Sequence, residues 1–149
     1  MATRTFLVAA LLSTLAVAPE REPASEGAES RIVLEVSELN NDAGRIVALL
    51  YTSATGFPRD TEACDDYRTA EISGGKARTS FSNLPAGTYA VLVFHDEDRN
   101  GKLKTNFIGM PKEGVGVTNN GSGLPRFSKA KFEVSAGAAV TKKVRINYL

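Results

Sequence analysis

The sequence predicts an all-β fold, a single antiparallel β-sandwich of about seven strands with one long glycine-rich loop. Three observations lead there. Short apolar runs, alternating or continuous, recur along the chain. Clusters of Gly, Pro, Asn and Asp separate them at strand-like intervals. No stretch carries a helical period long enough for a substantial helix.

The elements follow in order. Arg4, the apolar run 6–15 and the small-x-small triplet Ala16-Val17-Ala18 read as a signal peptide over residues 1–18. That apolar run is too short to span a membrane comfortably, and no cysteine follows it to take a lipid. Pro19 sits awkwardly just after the expected cut, so cleavage after Ala16, cleavage further on, and an uncleaved anchor all stay open. Residues 19–30, rich in Glu, Pro, Ser, Gly and Ala, read as a disordered linker, with the sandwich over 31–149. Residues 31–37 alternate with Ile32, Leu34 and Val36 on one face, and 45–51 are more apolar. The turn cluster at 40–44 between them reads as a hairpin connection. Residues 52–66 are loop, with a short helical turn near 61–65. Runs at 68–73 and 76–82 flank Gly74-Gly75, a two-residue hairpin signal. Residues 88–94 are apolar on both faces, which predicts a central strand. Alternation returns around Phe132 and from Val140 to Tyr148. Between Glu97 and Ser128 the rhythm breaks into a long loop holding Gly109, Gly114, Gly116, Gly121 and Gly123, and long loops in compact domains tend to carry function or be disordered.

Composition narrows the function classes. The chain has 149 residues, enough for one domain after a leader is removed. Its 18 basic and 17 acidic residues include Arg4, so the part beyond the leader is neutral. That balance gives no footprint for nucleic acid and no polybasic segment for an anionic membrane. The one cysteine, Cys64, excludes an internal disulfide framework and a cysteine-rich zinc site. It reads as a partly buried small side chain, with an intermolecular bridge as the alternative. No Gly-x-Ser-x-Gly elbow and no phosphate-binding glycine loop occurs. Asn120-Gly121-Ser122 is a formal glycosylation sequon, relevant only in a eukaryotic secretory pathway.

The chemically informative segment is Asp96-Glu97-Asp98-Arg99-Asn100-Gly101. Asp96, Asp98 and Asn100 occupy alternate positions before a glycine, as in the first half of a calcium loop, and Lys102 would add its backbone carbonyl. Leu103 then anchors the loop to the core. The second half is absent: the twelfth position is Phe107, and Lys104 brings the wrong charge. Asn106 or Glu113 would have to complete the shell, for an affinity on the order of 10⁻⁴ to 10⁻³ M. A self-capped turn without an ion explains the same residues, because Asp and Asn side chains bond nearby backbone amides. His95, the one histidine, reads either as a general base or metal ligand beside Asp96, or as a half-buried side chain hydrogen-bonded across the loop base. A Cys64–His95 nucleophilic pair is formally possible, but nothing around Cys64 resembles a nucleophile motif.

Residues 81–91, the run Phe94-His-Asp-Glu-Asp-Arg-Asn-Gly-Lys-Leu103 and residues 105–120 resemble bacterial domain-of-unknown-function family 2141, as do Gly56-Phe57-Pro58 and the closing Phe132-Glu-Val-Ser. The resemblance covers about 32–146. It implies an exported bacterial domain similar to transthyretin (prealbumin)-like and carboxypeptidase-regulatory-like sandwiches, with no established activity. The family pattern usually has an acidic residue where this chain has Lys104, which weakens a metal assignment. The family signature also takes in Pro111-Lys112-Glu113-Gly114 and Asn119-Asn120, which implies that the long loop is an ordered part of the site.

The expected function is a binding or accessory module of the cell envelope, periplasmic or secreted, serving an unknown envelope ligand or protein. No transmembrane segment is expected in the mature chain. His95, Lys112, Glu113, Asn119 and Asn120 are its candidate binding residues. Asp96, Asp98, Asn100 and the Lys102 carbonyl are the candidate ligands of a weakly held Ca²⁺, and no other cofactor is expected. A hydrolase or isomerase using His95 with Asp96 or Asp98 is one alternative, and a purely structural envelope protein is the other.

Overall fold

A computed structural model describes residues 29–149. The leader and nearly all of the linker expected from the sequence lie outside the described residues. Among the described residues eight strands form two packed sheets: β1 (Ser30–Ser37), β2 (Arg45–Tyr51), β3 (Asp66–Ala70), β4 (Ala77–Leu84), β5 (Gly87–Asp96), β6 (Val115–Val117), β7 (Phe132–Val134) and β8 (Ala139–Arg145). One sheet has the order β4-β1-β8, and the other runs β3-β2-β5-β6 with β7 also paired to β5. This is the expected all-β sandwich. Among the described residues no helix is long and apolar enough to cross a membrane.

Two connections differ from expectation. β1 and β2 do not pair as a hairpin but lie in different sheets. Glu38 adopts a left-handed backbone, Leu39 is buried in the core, and the Leu39 N–H donates to the Gly75 carbonyl at 3.1 Å. Anchoring Leu39 there carries the chain across the sandwich, so the 40–44 turn starts the second sheet rather than closing a hairpin. One pair is also parallel: β1 runs alongside β8, from Arg31 opposite Ala139 to Ser37 opposite Arg145. The Gly74-Gly75 turn is present, closed by reciprocal Ser73 and Lys76 backbone bonds, although β3 and β4 then diverge into separate sheets. The short helical turn is there too, over Thr61–Ala63.

Two cores explain why β2 and β5 are apolar on both faces. Side chains alternate across a strand. On the inner face, Ile46, Ala48 and Leu50 of β2 and Tyr89, Val91 and Val93 of β5 meet Ile32, Leu34, Val36, Phe81 and Val144 of the other sheet. On the outer face, Val47, Leu49, Tyr51, Ala90, Leu92 and Phe94 are covered by loop residues, among them Phe57, Leu103 and Phe127. The long loop therefore covers a second apolar layer. It also holds β6, a 3-10 turn at Thr118–Asn120 and a one-turn helix, α1 (Phe127–Ala130).

Candidate functional site at the end of the central strand

The end of β5 splits two sequence neighbours onto opposite faces. His95 continues the inward row of Val91 and Val93, whereas Asp96 continues the outward row of Leu92 and Phe94. Their partners differ accordingly. His95 is completely buried, with Nδ1 2.7 Å from the Tyr148 hydroxyl and Nε2 2.6 Å from the Ala43 carbonyl. A carbonyl only accepts, so Nε2 carries the hydrogen in the neutral ring and Nδ1 accepts from Tyr148. The Tyr148 oxygen in turn accepts the Asn40 N–H at 3.1 Å. Both ring nitrogens are thus used inside the fold, with Glu97 a further 3.6 Å from Nδ1. The histidine bonds across the loop base as the simpler reading expected, and is fully rather than half buried.

No hydrogen bond joins His95 to Asp96. The Cys64–His95 pair does not form either: Cys64 packs against the outer cluster while His95 belongs to the inner row. Burial pushes the Cys64 thiol up, away from the thiolate a nucleophile needs.

Asp96 anchors the acidic turn. Its carboxylate is completely buried, and Oδ2 accepts from Arg45 Nε at 3.1 Å and from the Gly101 N–H at 2.9 Å, while Oδ1 accepts the Asn100 N–H at 3.0 Å. Arg45 is its direct cross-strand partner, Cα opposite Cα, on the same outward row. Gly101 has φ 71°, the left-handed backbone that the turn requires and that glycine adopts without penalty. Asn100 closes the next turn, its Oδ1 accepting the Lys102 N–H at 2.7 Å. The Asx-turn bonding expected of such a loop is therefore present.

Asp98 is half exposed and pairs closely with the Lys104 ammonium, which holds its carboxyl below the usual aspartate range. Glu113 reaches the same place from the returning strand of a hairpin. The Lys112 N–H donates to the Lys104 carbonyl, and the Lys104 N–H donates to Glu113 Oε2 at 3.1 Å. One carboxylate oxygen each from Asp96, Asp98 and Glu113 lie within 4.8 Å of one another. Glu113 is 7% exposed, and its Oε1 has no hydrogen-bond partner among the described residues. Burial, reinforced by the two aspartates, pushes its carboxyl above the usual glutamate range.

The hairpin carries an apolar tip. Thr105 bridges Pro111, and the Asn106 N–H donates to the Met110 carbonyl at 2.8 Å. The Asn106 side-chain oxygen accepts from the N–H groups of Ile108 and Met110 at 3.0 and 2.9 Å. This closed turn holds Phe107, which is 100% exposed, and Ile108, which is 69% exposed, clear of the domain. Lys102, Lys104 and Lys112 are exposed at its base.

The remaining candidates are placed differently. Lys112 is exposed beside the cluster. Asn119 donates to the Lys129 and Lys131 carbonyls, both at 3.0 Å, and accepts from Lys142 Nζ. Asn120 donates to the Lys143 carbonyl and accepts the Arg145 N–H, both at 2.8 Å, extending the edge of β8 like a short strand. Neither asparagine bonds to the acidic turn. Two of the loop glycines serve packing: a Cβ on Gly114 would lie 2.5 Å from Ile146 Cγ2 and from Tyr148 Cε1, and one on Gly116 would lie 2.3 Å from the Arg145 carbonyl oxygen. Sequence reasoning missed Arg45 and Tyr148. Arg45 was accessible only through the register of β2 on β5, and Tyr148 only through the pairing of Asn147 with Val115 at the edge of β6.

No curated protein matches the chain. No solved structure matches it, so the two-sheet sandwich stands without the transthyretin-like description. A family model described as "Uncharacterized protein conserved in bacteria (DUF2141)" matches residues 34–142, and the chain belongs to that family.

Proposed function

We propose that this protein is an exported binding or accessory module of the bacterial cell envelope, which engages an envelope ligand or protein through the surface between residues 95 and 120. The observation that carries the reading is the exposed Phe107-Ile108 pair, held on a hairpin whose turn is closed by four hydrogen bonds from or to Asn106. A fully exposed aromatic ring gains nothing for the fold, whereas aromatic anchors on ordered loops contribute strongly to interfaces. Lys112 flanks the tip as a polar contact, and Glu113 fastens the hairpin's base. Export rests on the leader pattern of residues 1–18.

The test is a photo-crosslinking amino acid placed at position 107 in the bacterium, with position 67 as control, since Tyr67 is also exposed but lies on β3. The expected result is a discrete adduct from position 107 in the envelope or secreted fraction, absent from position 67. Adducts equal at both positions, or a protein retained in the cytoplasm, would overturn the reading.

A further inference from the structure

We propose that Asp96, Asp98 and Glu113 form a site for a hard divalent cation of the calcium class, with Lys104 as a tethered competitor that occupies Asp98 when no ion is bound. The site goes beyond the partner-binding reading and does not rest on it.

The geometry is of the right size. Calcium–oxygen distances are about 2.3–2.6 Å, so oxygens up to roughly 5 Å apart share one ion. One oxygen from each of the three carboxylates meets that limit, all lying within 4.8 Å. The donor set is oxygen only, which suits a hard cation and not a soft one. Asp98 is half exposed, so water has room to complete the shell.

A second observation points to a missing cation. Glu113 is 93% buried, and its Oε1 has no donor among the described residues, although such an atom is costly to leave unpaired. Asp96 Oδ1 takes one N–H and so keeps a lone pair free. Among the described residues two cations face the three carboxylates, Arg45 on Asp96 and Lys104 on Asp98, and neither ammonium nor guanidinium bonds to Glu113. With Lys104 swung into solvent, Arg45 and one divalent ion balance all three acids. The ligand missing from the twelfth position of the acidic loop is thus supplied from across the hairpin, where the Lys104 backbone N–H holds Glu113 in place.

The test is a calcium titration of the purified protein after chelator treatment, followed by thermal melting, on the parent, Lys104→Gln, Asp98→Asn and Glu113→Gln. An ion that binds only the folded state raises the melting temperature by mass action. The parent should respond with half-saturation on the order of 10⁻³ M, the weak extracellular class, and sodium chloride of equal ionic strength should not reproduce the shift. Lys104→Gln should move half-saturation severalfold lower, because the competitor is gone. Asp98→Asn and Glu113→Gln should lose the shift while still melting cooperatively. Asp98 is exposed enough for its variant to fold, so the test survives a misfolded Glu113 variant. No calcium-specific shift in the parent and in Lys104→Gln would overturn the site, as would an unchanged shift in Asp98→Asn. Either result leaves the crosslinking outcome at position 107 untouched.

Discussion

The buried carboxylate of Asp96 makes Arg45→Met the most informative stability variant. Asp96 has no exposed side-chain surface, and among the described residues Arg45 is its one direct cationic partner, at 3.1 Å and 28% exposed. Removing one member of a buried pair costs about 3–5 kcal/mol, because the other charge stays buried without its counter-ion. Arg45 retains some solvent screening, and Asp96 keeps the N–H groups of Asn100 and Gly101. Those two facts bring the expected loss to about 2–3 kcal/mol. For a domain of roughly 120 residues, that is a fall in melting temperature of about 8–12 °C. The measurement is urea or thermal denaturation in the presence of chelator. Glu71→Gln is the control: it breaks the Arg99–Glu71 pair, which is equally direct at 2.6 Å but largely in solvent. Exposed pairs contribute little to stability, so the control should melt close to the parent. Asp96→Asn in the Arg45→Met background should recover part of the loss, since no bare charge then remains. If Arg45→Met costs no more than Glu71→Gln, burial of Asp96 does not govern the energetics and the reasoning fails.

Other outcomes follow from the same geometry. Tyr148→Phe leaves His95 Nδ1 buried without a partner and should cost about 1–3 kcal/mol by denaturation, while nitrogen NMR of the parent should show His95 with its hydrogen on Nε2. Glu113→Gln in chelator should stabilise the protein at neutral pH, by removing a buried negative charge that faces Asp96 and Asp98. The sign with pH follows from the Glu113 carboxyl being raised by burial: the native state holds its proton longer, so stability falls as pH climbs above the ordinary glutamate value of 4.5 through the raised one. That decline should vanish in Glu113→Gln, whereas the contribution of Asp98, whose carboxyl is lowered by Lys104, is lost in the opposite direction as pH drops. Gly114→Ala should cost about 1–3 kcal/mol, because Ile146 and Tyr148 must give way. Phe107→Ser should change stability by less than about 0.5 kcal/mol, since the ring touches solvent only.

Much of this architecture was legible in the sequence, for a physical reason. Period-two alternation is a local property, so Ile32, Leu34 and Val36 declare a strand and its buried face without reference to anything else. The Asp-x-Asp-x-Asn-Gly turn is local too, because its carboxylate and amide oxygens reach backbone N–H groups two to five residues away. The doubly apolar 88–94 run predicted a central strand, and β5 lies inside its sheet between β2 and β6.

Only the tertiary structure decided which distant groups meet. Nothing local distinguishes a 40–44 turn that closes a hairpin from one that begins a second sheet, because burial of Leu39 against the far side of the core settles the matter. The parallel pairing of β1 with β8 likewise depends on residues more than a hundred positions apart. The same holds at the candidate site. His95 and Asp96 are chain neighbours, yet the pleat sends one inward to Tyr148 and the other outward to Arg45. Glu113, seventeen positions beyond Asp96 in the chain, comes back to it through a hairpin. Sequence set the residue types and the face each strand presents. Long-range packing set the partners, because side chains from separate segments share a site only once the backbone between them has been folded back.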